Sequence, residues 1–225
     1  MNYDPIAKYY DPLSRMVFGK AQVKAQTSLL SAIPGQATVL IVGGGTGWIL
    51  ESIAAIHPTG LNITYWDSSV KMIELARKRN TGSNEITFMV RDVADAISDK
   101  QYDVLITPFL FDNFTESTTE SIFNLLQNCL NPDGLWLYCD FRITGIIWQR
   151  ILLKLMYTFF RRCCRIDASQ MPDVKKHFHT ASFGIISAEY FMNGFIESIV
   201  YKRSIMARRV ISIFASIYQL CFVCK

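Results

Sequence analysis

The sequence lacks a continuous apolar run of the roughly 18 to 20 residues that a transmembrane helix needs; the charge-free tail from Val210 to Cys224 stops short of it. No secretory leader is expected, because Asp4, Lys8 and Asp11 interrupt the N-terminus before any long apolar stretch. A cytoplasmic location is therefore expected. Neither sign of charge is in large excess: the net charge is +4 over 225 residues. With neither a strongly basic domain nor a recognition motif, nucleic acid is not expected as a partner. The six cysteines suit a reducing compartment, where buried thiols act as small hydrophobes. Cys221 and Cys224 have C-x-x-C spacing but no second such pair, only the adjacent Cys163 and Cys164, so no metal site is expected. Repeats and low-complexity tracts are absent as well. What is present is 50% apolar residues, enough for one sizeable core and a single domain over residues 1–225.

The most informative segment is Val39-Leu40-Ile41-Val42-Gly43-Gly44-Gly45-Thr46-Gly47, a β-branched strand that breaks into a glycine-rich turn. Glycine permits positive φ and close approach of a ligand to the backbone. A helix beginning near Trp48 turns its unpaired N–H groups toward the same spot. The spacing disfavours two ligand classes. A dinucleotide turn wants a third glycine where Trp48 stands, and a Walker loop wants Gly-Lys-Ser/Thr where Trp48-Ile49-Leu50 follows Gly47. A second apolar strand, Leu61 to Trp66, ends at Asp67, whose carboxylate can accept both hydroxyls of a ribose or cap the helix starting near Ser69.

Strands alternating with helices predict a parallel sheet with crossover helices on both faces. Expected strands lie at Ala37 to Val42, Leu61 to Trp66, Ile86 to Val90, Tyr102 to Thr107 and Leu135 to Asp140. Helices are expected from Thr46 to Ile56, from Ser69 to Arg79, and after a capping box at Ser117-Thr118-Thr119-Glu120. A last strand at the start of the Val210 to Cys224 tail is expected to run antiparallel to Phe195 through Lys202. The fold class is thus α/β: a doubly wound, mostly parallel seven-stranded sheet with an antiparallel last strand. Residues 1–34 read as a helical cap, and 143–183 as a helical insertion over the ligand crevice, a substrate lid.

At these motifs the chain resembles the class I S-adenosylmethionine-dependent methyltransferases. The glycine turn is similar to their first motif, and Asp67-Ser68-Ser69-Val70-Lys71-Met72-Ile73 to their ribose-binding segment. Phe88 to Val93 resembles the end of their third strand, Tyr102 to Thr107 their fourth, and Leu130-Asn131-Pro132-Asp133-Gly134 the entry to their fifth. The resemblance implies S-adenosylmethionine as cofactor, held by Tyr10, Gly43, Gly44, Gly45, Gly47, Asp67, Ser68, Met72, Asp92, Val93 and Thr107. Met72 would pack under the adenine, Asp92 would receive its amino group, and the Val93 amide would meet a ring nitrogen. One departure stands out: Ile41 occupies the place of the acidic residue two before the first glycine, so that either cofactor binding is weaker or another group such as Tyr10 substitutes for it toward the cofactor's amino group.

Methyl transfer depends mainly on positioning, with a proton acceptor needed for some oxygen or nitrogen nucleophiles. His177 and His179 are the obvious titrating candidates, followed by Asp112 and Asp140 at the ends of strands four and five. The expected acceptor is a small, apolar, lipid- or quinone-like molecule. Cations gather at Arg161-Arg162 with Arg165, at Lys175-Lys176, and at Lys202-Arg203 with Arg208-Arg209. They read either as solvated faces or as sites that favour an anionic substrate or a peripheral membrane contact. Two other readings compete: a nicotinamide-dependent oxidoreductase, disfavoured by Trp48, and an inactive binding protein that keeps the fold.

Overall fold

The computed structural model describes residues 1–95 and 100–204. Helices α1 (Ala7–Phe18) and α2 (Ala21–Ser28) precede β1 (Thr38–Val42), α3 (Trp48–Ile56), β2 (Thr59–Asp67), α4 (Val70–Ala76), β3 (Ser83–Val90) and β4 (Tyr102–Pro108). Then follow α5 (Glu116–Asn128), β5 (Leu130–Phe141), α6 (Ile147–Cys164), α7 (Val174–Thr180), β6 (Phe183–Phe191) and β7 (Ile196–Arg203). The seven strands lie in the order β3-β2-β1-β4-β5-β7-β6. β1 pairs in parallel with both β2 and β4, whereas β7 is antiparallel to β5 and to β6.

Alternation along the strands explains the two helical layers. Val39 and Ile41 of β1 face a core with Ala25 of α2, Ile49 and Ile53 of α3, Ile73 of α4 and Leu153 and Tyr157 of α6. Leu40 and Val42 face the opposite core, made with Ile122, Phe123 and Leu126 of α5 and Phe178 of α7. The order of strands reverses between β1 and β4, so their carboxyl ends flank the crevice where open α/β sheets bind ligands.

Two expectations change. The box at Ser117 is not the start of α5: Thr115, with extended backbone, is the N-cap and accepts from the Thr118 amide at 3.4 Å. Thr115 has the same capping chemistry two residues earlier, and the longer helix still sets Ile122, Phe123 and Leu126 against the sheet. The strand expected from Val210 lies outside the described residues. The antiparallel strand is Ile196–Arg203 itself, and its two edges are already paired with β5 and β6, which leaves no edge for a further partner. The C-x-x-C at Cys221 and Cys224 also lies outside the described residues. Among the described residues no helix is long and apolar enough to cross a membrane.

Candidate active site

The turn after β1 begins where Gly43 N–H donates to Trp66 C=O on the neighbouring strand at 2.9 Å. The glycines that follow serve different ends. A Cβ on Gly44 would lie 2.3 Å from the Tyr65 ring, and the Tyr65 hydroxyl donates to Gly45 C=O at 3.0 Å, so a buried tyrosine carries the loop from below. Gly47 takes φ +78° as N-cap of α3, and a Cβ there would come within 2.5 Å of the Ala76 backbone. Gly45 has φ +62°, and a Cβ on it would meet no protein atom within 4 Å. Gly44 and Gly47 are thus required by packing, whereas Gly45 leaves a space open on the ligand side.

Asp67 ends β2 opposite this loop. One carboxylate oxygen accepts from Gly45 N–H and the other from Ser69 N–H, both at 2.9 Å. The cap of α4 is Ser69, whose hydroxyl oxygen accepts from the Met72 amide at 3.1 Å and donates to Asp4. Asp67 is therefore free of the capping duty, and each of its oxygens retains acceptor capacity. Burial raises its pKa against the two backbone donors, while the bond from Ser69 lowers that of the half-buried Asp4.

The N-terminal segment is tied to the same loop. Thr46 donates to Asp11 at 2.7 Å, Arg79 pairs with the other Asp11 oxygen at 2.7 Å, and the Arg79 Nε donates to Thr46 C=O at 2.9 Å. Ile41, where an acid was expected from the resemblance, is fully buried in the core. A second carboxylate besides Asp67 does reach the glycine loop, that of Asp11. Sequence reading missed Asp4, Asp11 and Arg79, since nothing in their spacing joins positions 35 to 68 residues distant.

Between these elements lies a cavity of about 1000 Å³, its open mouth included. Of the expected residues, Tyr10, Gly43, Gly44, Gly45, Asp67, Ser68, Met72 and Val93 line it, joined by Asp11, Thr46 and Trp48. Three do not. Gly47 sits behind the loop, Thr107 is buried and accepts from the Trp136 indole at 2.9 Å, and Asp92 accepts from the Ala94 amide while its neighbours Arg91 and Val93 form the wall.

A second cavity, about 870 Å³ on the same basis, adjoins the first, and Tyr3, Tyr10, Ser14, Gln22, Phe109 and Asn113 belong to both walls. The remainder is mostly apolar: Leu13, Val17 and Phe18 of α1, Phe141 of β5, and Leu152, Leu155, Met156, Phe159 and Phe160 of α6. Tyr10 rests against Tyr3 and Phe160, with ring centroids 6.1 and 6.5 Å away. One carboxyl, that of Asp112, lines this apolar space. The Tyr3 hydroxyl donates to Asn113, and the Asn113 amide donates to Asp112 at 2.7 Å.

Asp140 lies beneath, fully buried, accepting from the amides of Phe111, Asp112 and Phe141. Burial pushes its pKa up to about 7 against those three donors. Burial first and the Asp140 charge second raise Asp112 well above the carboxylate range. At neutral pH the pair holds its proton on Asp112, because Asp140 has the three backbone donors. The histidines are elsewhere: His177 on α7 contacts Glu116 at 3.2 Å, and His179 is exposed, neither lining either cavity.

Residues 39–134 match the family described as "Methyltransferase domain". The chain is 28% identical over 141 residues to malonyl-[acyl-carrier protein] O-methyltransferase of Bacillus cytotoxicus, covering 63% of this chain and 46% of that one. It is 27% identical over 143 residues to demethylmenaquinone methyltransferase of Clavibacter sepedonicus, covering 62% and 56%. The chain thus spans about half the length of the curated relatives it matches. Among solved structures, the DhpI–SAH complex superposes with a TM-score of 0.66 at 15% identity, over 90% of this chain and 94% of that one. The fold is the α/β methyltransferase fold.

Proposed function

We propose that this chain, in which residues 39–134 make a methyltransferase domain, binds S-adenosylmethionine and transfers its methyl group to a small, apolar, lipid- or quinone-like acceptor. The observation that carries the reading is the shared wall: a cavity with a glycine turn and an acceptor-rich Asp67 adjoins an apolar one holding a single carboxyl. The fit of the cofactor is supported by the open space at Gly45 and by the two Asp67 oxygens, each already anchored by a backbone amide yet able to accept again. When bound, S-adenosylmethionine supplies an electrophilic methyl group on a sulfonium sulfur.

The chain's own contribution is chiefly placement and exclusion of water. Gly45 gives the backbone access, Asp67 receives the ribose hydroxyls, and Met72 and Val93 provide apolar walls for the adenine, with Asp92 at its rim. Asp11, held by Thr46 and Arg79, takes over the part of the acid missing at position 41. Tyr3, Tyr10 and Phe109 separate the two compartments and keep the reacting atoms dry. Asp112, which holds the pair's proton, donates a hydrogen bond that orients an oxygen or nitrogen acceptor, and it takes up the acceptor's proton only where the pair has first lost its own. The names of the two relatives, one for malonyl-[acyl-carrier protein] and one for demethylmenaquinone, support an acyl or quinone-like acceptor.

Calorimetric titration tests the reading. S-adenosylhomocysteine should bind and NADH should not. Binding of NADH alone would replace it with the oxidoreductase, and binding of neither would leave a protein that keeps the fold without the cofactor.

A further inference from the structure

Helix α6 carries an apolar stripe that none of the described residues covers. Ile147, Ile151, Leu155 and Phe159 recur every four residues, which sets them on one face of the helix, and they are 68, 56, 62 and 39% exposed. Ile143, Ile146 and Trp148 extend the exposed apolar surface at its N-terminal end. Gln149, Leu153, Tyr157 and Cys164 take the buried side. Isolated exposed apolar residues are ordinary, but seven within one helix and its lead-in form a patch of the kind that marks an interaction site.

Charge identifies the occupant. From Phe141 to Ile166 the sequence has no Asp or Glu. Arg150, Lys154 and Arg161, at intervals of four and seven, run beside the stripe on the flank away from the apolar cavity, all three exposed. Arg161, Arg162 and Arg165 gather with Asp167 around an open hollow at the end of the helix. None of Arg150, Lys154, Arg161, Arg162 or Arg165 is in an ion pair among the described residues. An apolar face bordered by such cations, with no acid on the helix itself, is what an interfacial helix presents to an anionic bilayer: the apolar side chains enter the acyl boundary and the cations meet phosphates.

We infer that α6 docks this protein on an anionic lipid surface, lying in the membrane plane. Leu155 and Phe159 belong both to the stripe and to the wall of the apolar cavity, so docking sets that cavity's edge against the bilayer. The docking stands without the methyl transfer proposed above. Its consequence, that the acceptor enters from lipid, rests on that reading.

Vesicle sedimentation of the full chain tests it. The protein should bind vesicles of phosphatidylcholine mixed with phosphatidylglycerol, bind phosphatidylcholine alone far less, and release as salt is raised. Ile147→Asp with Ile151→Asp, both outside the cavity walls, should cut binding at least tenfold while S-adenosylhomocysteine titration is unchanged. Arg161→Glu with Arg162→Glu should remove the preference for the anionic lipid. Should the aspartate pair unfold the chain, bromolipid quenching of the wild-type protein remains: it should fall when Trp148 is replaced by Phe. Docking by α6 is overturned by absence of vesicle binding, by binding that the α6 variants leave intact and truncation after residue 204 abolishes, or by a dilution-stable dimer that the aspartate pair dissociates. Failure to bind S-adenosylhomocysteine would strike the proposed function and leave the docking result untouched.

Discussion

Alanine scanning of the glycine turn separates packing from ligand space, because three neighbouring glycines meet three different surroundings. In Gly45→Ala the new methyl contacts no protein atom within 4 Å, so the cost to the fold is that of a left-handed alanine at φ +62°, roughly 1 to 2 kcal/mol. For a chain of this size that lowers Tm by only a few degrees, about 2 to 4 °C per kcal/mol. In Gly44→Ala the methyl falls 2.3 Å from a tyrosine that is fully buried and bonded to Gly45 C=O. The ring has no room to swing, and overpacking of this kind costs about 1 to 3 kcal/mol. Gly47→Ala combines φ +78° with a 2.5 Å approach to the Ala76 backbone, so strain and overlap add and this variant is the least stable. Binding should follow the opposite order. Per folded molecule, Gly45→Ala loses S-adenosylhomocysteine affinity most, by tenfold or more, because its methyl occupies the space left to the ligand. Thermal melts and calorimetric titration of the three variants read both quantities. A Gly45→Ala protein that binds like the wild type would refute the assignment of this turn as the cofactor cradle.

Two further outcomes follow from the carboxylates. Asp67→Ala should weaken S-adenosylhomocysteine binding by about 1 to 3 kcal/mol through lost hydrogen bonds to the ribose; unchanged affinity in titration would mean that Asp67 serves only the Gly45 and Ser69 amides. The Asp112–Asp140 pair makes stability fall as pH rises. Both native pKa values are raised above the unfolded value near 3.8, Asp140 to about 7, so the folded chain holds protons that the unfolded chain has released. That contribution is complete below the unfolded pKa and is lost as pH climbs through the native one, at up to about 1.4 kcal/mol per pH unit for each extra proton held. Urea midpoints between pH 4 and 7 should show this decline in the wild type and a flatter profile in Asp112→Asn; equal slopes would place the protons elsewhere.

Much of the fold could be read along the chain because its signals are local. The run Val39 to Val42 is apolar on both faces since both faces of β1 are covered, and the break at Gly43 is written in residue type. Ser69 and Asp67 stand beside the helix start that they organise, so their neighbourhood is set by the sequence order itself. The start of α5 was misplaced by two residues because Thr115 and Ser117 offer the same hydroxyl, and only the packing of Ile122, Phe123 and Leu126 chooses between them. Thr107 was expected to reach the cofactor from its place at the end of β4, but alternation turned its side chain to Trp136.

The sequence alone determined the order of strands and helices as far as β5, the glycine turn, and the carboxylate that faces it, since each rests on backbone preference or on residues close in the chain; the strand Phe183–Phe191 was not read from it. The tertiary structure alone decided which distant groups meet. It brought Asp11 and Arg79 to Thr46, put Asp112 in an apolar wall above Asp140, and left one stripe of α6 bare. Those contacts depend on how helices from both ends of the chain close over one crevice, and no periodicity in the amino-acid order encodes that closure.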